Sequence, residues 1–232
     1  MNIIYYDLET TGTNVNFDRM IEIAAYKENT NTYYHKLVNT DYPIHPKASE
    51  VNGITHDMIK NKKYFKDLID DFEDFMFSNN LNIIYLISHN NYNFDRYILK
   101  CEYKRVNRDF PNNIIFVDTL PISRYLFPKL KNHKLGTLLE LFNIKTENQH
   151  EALDDVNSLY KIYQEFRKIN NDLELFNISK KFIMNKMPFG KYKNQYIKDI
   201  PEDYVKWMKL NIFSKPLNKD LEKAFTKYNP HF

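Results

Sequence analysis

The chain opens on three short β-rich apolar runs in close succession, and no other feature of the sequence constrains its fold as strongly. IIYYDL occupies residues 3–8, MIEIAAYK 20–27 and TYYHKLV 32–38, with a turn signal at Gly12 and the turn ENTN separating them. Runs of this length, rich in β-branched and aromatic residues and bounded by turn formers, predict strands. Three in a row predict an antiparallel meander at the start of a mixed sheet. Pro43, Pro46 and Gly53 then break the pattern before a helical stretch at 65–78. NIIYLIS at 82–88 predicts a fourth strand, a helix follows Asn93, and IIFVDT at 114–119 predicts a fifth strand. LGTLLELFNI at 135–144 and HEALDDVNSLYKIYQEFRKI at 150–169 carry helical spacing of apolar residues. In the second of these, Leu153, Val156, Leu159, Tyr160 and Tyr163 define one face. Strands first, then strands alternating with helices, predict a three-layer α/β domain over residues 1–169. The polar stretch 169–172 marks its end, 170–186 reads as a linker, and 187–232 reads as a small accessory module.

Hydrophobic residues make up 43% of the chain and both charge signs are well represented, which excludes a disordered polyelectrolyte. No apolar run approaches the roughly 18 residues that span a membrane. Asp7 and Glu9 cut short the apolar opening MNIIYY, which argues against a secretory signal. The single cysteine, Cys101, has no partner for a disulfide or a thiolate metal site, so a reducing, cytoplasmic compartment is expected. The net charge of +3 is unevenly spread: from residue 170 onward, 12 lysines face 7 acidic residues. A mildly acidic body with a basic tail fits a protein that gathers cations in one place and a polyanion in another; a solvated lysine-rich surface gives the same numbers.

The acids are placed suggestively. Asp7 and Glu9 end the first predicted strand, and the period of 2 projects both to one face. Paired carboxylates raise each other's pKa unless a cation intervenes, and hard divalent ions such as Mg²⁺ or Mn²⁺ favour such oxygen donors. Asp95, in SHNNYNFDRYIL, lies at a strand-to-helix junction, where open α/β sheets place their sites. Asp155 lies inside a helix five residues after His150, so His150 falls at or before the helix start, where its imidazole can lean over a site that Asp155 completes. Asp154 is the rival ligand but points about a third of a turn away. Each acid alone is more commonly a surface or helix-start carboxylate, and only together do they point to a site.

In order and separation, DLETTG, NNYNFDRYIL and HEALDD resemble the three exonuclease motifs of the DEDDh (DnaQ-like) superfamily. NGIT at 52–55, VDTLPISRYLFP at 117–128 and HKLGTLLELFNI at 133–144 agree with it, and the resemblance spans residues 1–169. Asn52 stands where many members carry histidine. In the second motif the spacing from Asn90 to Asp95 matches one form of the motif, while Asn91 gives the shorter spacing of another, so either asparagine is a candidate to touch substrate. The resemblance implies a ribonuclease H-like α/β/α fold and a 3′→5′ exonuclease releasing nucleoside monophosphates. Asp7, Glu9, Asp95 and Asp155 would hold two ions, Mg²⁺ or Mn²⁺, and His150 would be the general base. Thr10, Thr11 and Gly12 would receive the terminal nucleotide.

MPFGKYKNQYIKDIPEDYVKWMKL at 187–210 is similar to the small C-terminal module of exodeoxyribonuclease X-type proteins, which favours DNA over RNA as the nucleic-acid partner. Its aromatics, Phe189, Tyr192, Tyr196, Tyr204 and Trp207, alternate with lysines. They either stack unpaired bases while the lysines track phosphates, or form the core of a small domain. An exoribonuclease using the same residues is the nearest alternative, and a non-catalytic nucleic-acid-binding or proofreading-subunit module is the next.

Overall fold

The structure, a computed structural model, describes residues 1–78, 83–145, 152–187, 190–193, 195–213 and 219–232. A five-stranded sheet runs in the order β3-β2-β1-β4-β5. Its strands are β1 (Asn2–Thr10), β2 (Met20–Lys27), β3 (Thr32–Leu37), β4 (Ile84–Ser88) and β5 (Ile114–Asp118). The first three pair antiparallel, and β1, β4 and β5 pair parallel, so the predicted meander opens a mixed sheet.

Helices cover both faces. α1 (Pro46–Asn52), α2 (His56–Ile59) and α3 (Ile69–Phe77) precede β4, and α4 (Asp95–Arg105) links β4 to β5. After β5 come α5 (Thr119–Leu126), α6 (Leu135–Leu141), α7 (Ala152–Arg167) and α8 (Asp172–Lys181). The alternation along β1 sorts the two layers. Ile4, Tyr6 and Leu8 face a cluster built with Phe72 and Met76 of α3 and Ile98, Leu99 and Tyr103 of α4. Ile3 and Tyr5 face the opposite cluster, with Val156, Leu159 and Tyr163 of α7. The rings of Tyr160 and Tyr163 pack edge-on to Tyr5 at 5.3 and 5.6 Å. Each such pair contributes about 0.5–1.5 kcal/mol beyond its buried area. That seating fixes where the first turn of α7 lies over β1.

Three elements depart from the sequence reading. Pro46 and Gly53 do more than break a pattern: Pro46 opens α1 and Gly53, at φ 71°, closes it in the left-handed region. The predicted fifth strand, read to residue 119, stops at Asp118, whose side chain accepts from Leu120 N–H and caps α5, a helix the sequence reading did not assign. The expected linker 170–186 contains α8, whose Asn171 side chain accepts from Glu174 N–H at its start. Leu175 and Phe176 are buried in the α7-side cluster, and Phe176 stacks on Tyr85 at 4.3 Å. The α/β body therefore continues to about residue 181, because the polar residues read as a boundary are a helix cap.

Beyond it, α9 (Glu202–Asn211) and α10 (Lys219–Tyr228) share a separate core of Met187, Ile197, Ile200, Val205, Met208, Leu221, Ala224 and Phe225. Asn229 ties it together, donating to the carbonyls of Ile197 and Ile200. Tyr192 and Tyr204 pack against this core, whereas Tyr196 and Trp207 are each 47% exposed; Phe189 lies outside the described residues. No helix among the described residues is long and apolar enough to cross a membrane.

Candidate active site

The row Ile3–Tyr5–Asp7–Glu9 occupies one face of β1, apolar while covered by α7 and acidic where the strand runs out from under it. A register shift between Glu9 and Thr10, from Glu9 opposite Glu22 to Thr10 opposite Met20, bends the strand just past the second acid. Asp155, in the first turn of α7, comes down onto the same place. Carboxylate oxygens of Asp7, Glu9 and Asp155 all lie within 4.8 Å of one another. Asp154, its neighbour in sequence, is not in this group.

Asp95 arrives from the opposite layer at the first turn of α4. It is almost wholly buried and its Oδ2 accepts from Ser88 Oγ at 2.6 Å. Burial pushes its carboxyl up to about 7, with the Ser88 hydrogen bond opposing the rise. Asp7 is raised well above the usual carboxylate range, first by burial and next by the charges of Asp95 and Glu9. Glu9 is pushed up to about 8 by burial, against a hydrogen bond from Asn52, with Glu22 and Asp155 adding repulsion. Acids this close and this poorly hydrated are at odds with their own ionisation. A hard divalent cation resolves the conflict, and an all-oxygen donor set fits one.

The loop between β4 and α4 is organised by Asp118, whose oxygens accept from the backbone N–H groups of Asn90 and Tyr92, each at 2.9 Å. This holds Asn90 at φ 66°, a conformation asparagine tolerates better than most residues. The two candidate asparagines now separate. Asn91 is fully buried: its Nδ2 donates to the carbonyls of Leu86 and Val117, and its Oδ1 accepts from Tyr6. No atom of it is left for a nucleotide. Asn90 is half-buried and lines an open groove.

The DLETTG segment divides in the same way. Thr10, Gly12 and Glu9 line a pocket of about 560 Å³ together with His45, Asn52 and Phe94. Thr11 is buried beneath them, its Oγ1 donating to Asp18 and accepting from Arg19 N–H. A Cβ on Gly12 would lie 2.6 Å from the Asp18 carboxylate, which accepts from Thr11 Oγ1 and Asn14 N–H, so a side chain there would have to displace that carboxylate from the loop. Beneath the loop lies Glu102, 1% exposed, which accepts from Arg19 Nε and Nη2 at 2.8 and 3.0 Å and from Arg105 Nη1 at 2.8 Å. Arg105 also donates to the carbonyls of Asp18 and Asn16. Glu102 was not singled out from the sequence. Its signal was an acid seven residues after Asp95, on the helix face that buries Ile98 and Leu99. His150 lies outside the described residues.

A family model described as Exonuclease (RNase_T) matches residues 4–163, and a second, described as a putative quorum-sensing-regulated virulence factor, matches residues 177–223. Among curated relatives, the PolC-type DNA polymerase III of Oceanobacillus iheyensis is 31% identical over 183 residues. That of Bacillus subtilis is 32% identical over 155 residues. These alignments cover 75% and 66% of this chain but only 12% and 10% of those proteins, so the chain spans about a tenth of their length. Among solved structures, Exonuclease X in complex with 5′ overhanging duplex DNA has a TM-score of 0.59 at 20% identity, covering 76% of this chain and 99% of that one. The E. coli ExoI–ssDNA complex in its zinc-bound form has a TM-score of 0.65 at 20% identity, covering 76% and 42%. Three carboxylates converging at the end of β1 and a family match over most of the α/β body agree: the chain belongs to the exonuclease (RNase_T) family, whose members depend on divalent metal.

Proposed function

We propose that this chain hydrolyses DNA from the 3′ end, one nucleotide at a time, with two Mg²⁺ or Mn²⁺ ions. The observation that carries the reading is the convergence of Asp7, Glu9 and Asp155 within 4.8 Å. Asp7, Glu9 and Asp155, joined by Asp95, hold the ions. Bound there, such ions would supply charge neutralisation at the scissile phosphate and would lower the pKa of an attacking water. His150, five residues before Asp155, takes the proton from that water; a near-neutral imidazole suits the task. The pocket of Thr10, Gly12 and Asn52 beside Glu9 receives the terminal nucleoside, and Asn90 meets the strand on the other side. DNA is favoured as substrate because the relatives are DNA polymerases and the solved neighbours were captured with DNA.

The test is a Mg²⁺ and Mn²⁺ assay on 5′-labelled single-stranded DNA, duplex DNA and RNA, run with wild type and Asp7→Ala. A ladder shortening from the 3′ end, present with metal and lost in the variant, is expected on DNA. Faster shortening of RNA would transfer the reading to an exoribonuclease, and activity in Asp7→Ala equal to wild type would end it.

A further inference from the structure

The groove that Asn90 borders continues away from the carboxylates. Its walls are the α/β body on one side, from α5 and the segment leading to α6, and the start of the C-terminal module on the other. Its volume is about 980 Å³, and its charged side chains are Arg124, Lys131, Lys134, Lys186 and Lys193, with no aspartate or glutamate among the described residues that line it. A second groove of about 640 Å³ shares Arg124, Phe182 and Met184 with the first and again has basic residues and no acid, including Lys180, Lys181 and Lys223. In a chain that carries 30 acids against 33 bases, two adjoining grooves without an acid form a segregated basic trough. Lys131, Lys134, Lys186 and Lys193 are exposed, and none makes a salt bridge among the described residues.

The trough is also aromatic. Tyr125 is 56% and Tyr196 47% exposed, and both line it from opposite walls. The ammonium of Lys186 lies 4.8 Å from the centre of the Tyr196 ring. Cations beside accessible ring faces, in a groove free of acids, are what unpaired bases on a phosphate backbone require. Folded duplex recognition by base edges needs a protruding helix or ribbon, and nothing of that kind stands in the trough.

Position completes the case. An enzyme that removes the last nucleotide needs a pocket for the leaving nucleoside on one side of the scissile phosphate and a track for the retained strand on the other. The Glu9 pocket supplies the first, and the Asn90 end of the trough begins two residues from Ser88, which is bonded to Asp95. Resting on the exonuclease reading above, we infer that the trough between the α/β body and the C-terminal module carries the retained single strand. Lys131, Lys134, Lys186 and Lys193 contact its phosphates, and Tyr125 and Tyr196 stack its bases.

The test uses the full chain and the triple variant Lys131→Ala/Lys134→Ala/Lys193→Ala, with Tyr196→Ala beside it. Binding of a fluorescent oligodeoxynucleotide of roughly 15 nucleotides, within the span of single-strand grooves, is followed by anisotropy over a salt series. Loss of three phosphate contacts should reduce the slope of log K against log salt by about 2. Affinity in about 0.1 M salt should fall at least tenfold, as expected when three counterion-releasing contacts are removed. In hydrolysis, the variant should show a raised KM on the oligonucleotide and a wild-type kcat/KM on a dinucleotide, which is too short to extend beyond the Asn90 end of the trough. Unchanged anisotropy and salt slope overturn the trough, as does equal impairment on the dinucleotide, which would mark a general distortion. Anisotropy needs no catalysis, so a wild type that binds in the trough but shortens no strand would refute the exonuclease reading and leave the trough standing.

Discussion

Replacing Glu9 by glutamine should stabilise the metal-free protein, and by more as the pH rises. Glu9 has an ordinary carboxyl value of 4.5 and is pushed up to about 8 by burial and neighbouring acids. Below about pH 4.5 it is protonated in both folded and unfolded states and costs nothing. As pH rises towards about 8, the unfolded chain gives up its proton freely while the folded chain must hold it or ionise against Glu22, Asp155 and Asp95, so stability is lost across that window. At about 1.4 kcal/mol per pH unit, the full rise from 4.5 to about 8 corresponds to roughly 5 kcal/mol. Partial exposure of Glu9 and a repulsion shared with its neighbours reduce this to about 2–3 kcal/mol. For a chain of this size that is roughly 5–10 °C in Tm. The assay is thermal unfolding of wild type and Glu9→Gln in chelator, from about pH 5.5 to 9, repeated with millimolar Mg²⁺ or Mn²⁺. The gap between the two proteins should open with pH and level off above about 8, and metal should narrow it by stabilising wild type more than the variant. A gap that is constant with pH, or unaffected by metal, would refute the reasoning that this site is a set of strained carboxylates awaiting a cation.

His150→Ala should lower kcat by about 10²–10⁴ with an unchanged melting temperature, as removal of a general base does; steady-state rates with a parallel melt check it. Glu102→Ala leaves Arg19 and Arg105 without their shared buried acceptor and should cost about 3–5 kcal/mol in denaturant unfolding. Its effect on kcat should be the larger because the loop bearing Thr10 and Gly12 loses its anchor. Asn91→Ala strips partners from Tyr6 and two carbonyls and should cost about 2–3 kcal/mol. Asn90→Gly keeps the left-handed conformation and should leave stability near wild type while raising KM; a shift confined to the opposite variant would reverse the two roles.

Much of the α/β body was legible because its signals were redundant. β1, β2 and β3 could be read from turn-bounded apolar runs, and α7 from a stripe that its packing on Tyr5 and Tyr26 reproduces. What escaped had a common cause: a residue type was read for its commonest meaning when its partner was distant in sequence. Pro46 and Gly53 read as breakers because a short helix has no period to detect. Asn171 read as linker because its role as a cap depends on Leu175 and Phe176 finding the sheet. Among the acids, Asp7, Glu9 and Asp155 were recognisable from local geometry and motif together. Asn90 and Asn91 were not separable, since adjacent identical residues differ only in which way a buried loop turns them, and Asp118, 28 residues from Asn90, decides that.

The helix that begins with Asp95 also holds Glu102, two turns further on and about 10 Å away along the axis. One rigid rod therefore carries a carboxylate of the site at one end and the clasp of the nucleotide-pocket loop in its body. If α4 rocks on the sheet, Asp95 and the Thr10–Gly12 loop travel together, like jaw and handle of one tool. Thermal breathing then changes the opening of the site more readily than the registration of its two halves, and a substitution on the buried face of α4 is felt in both at once.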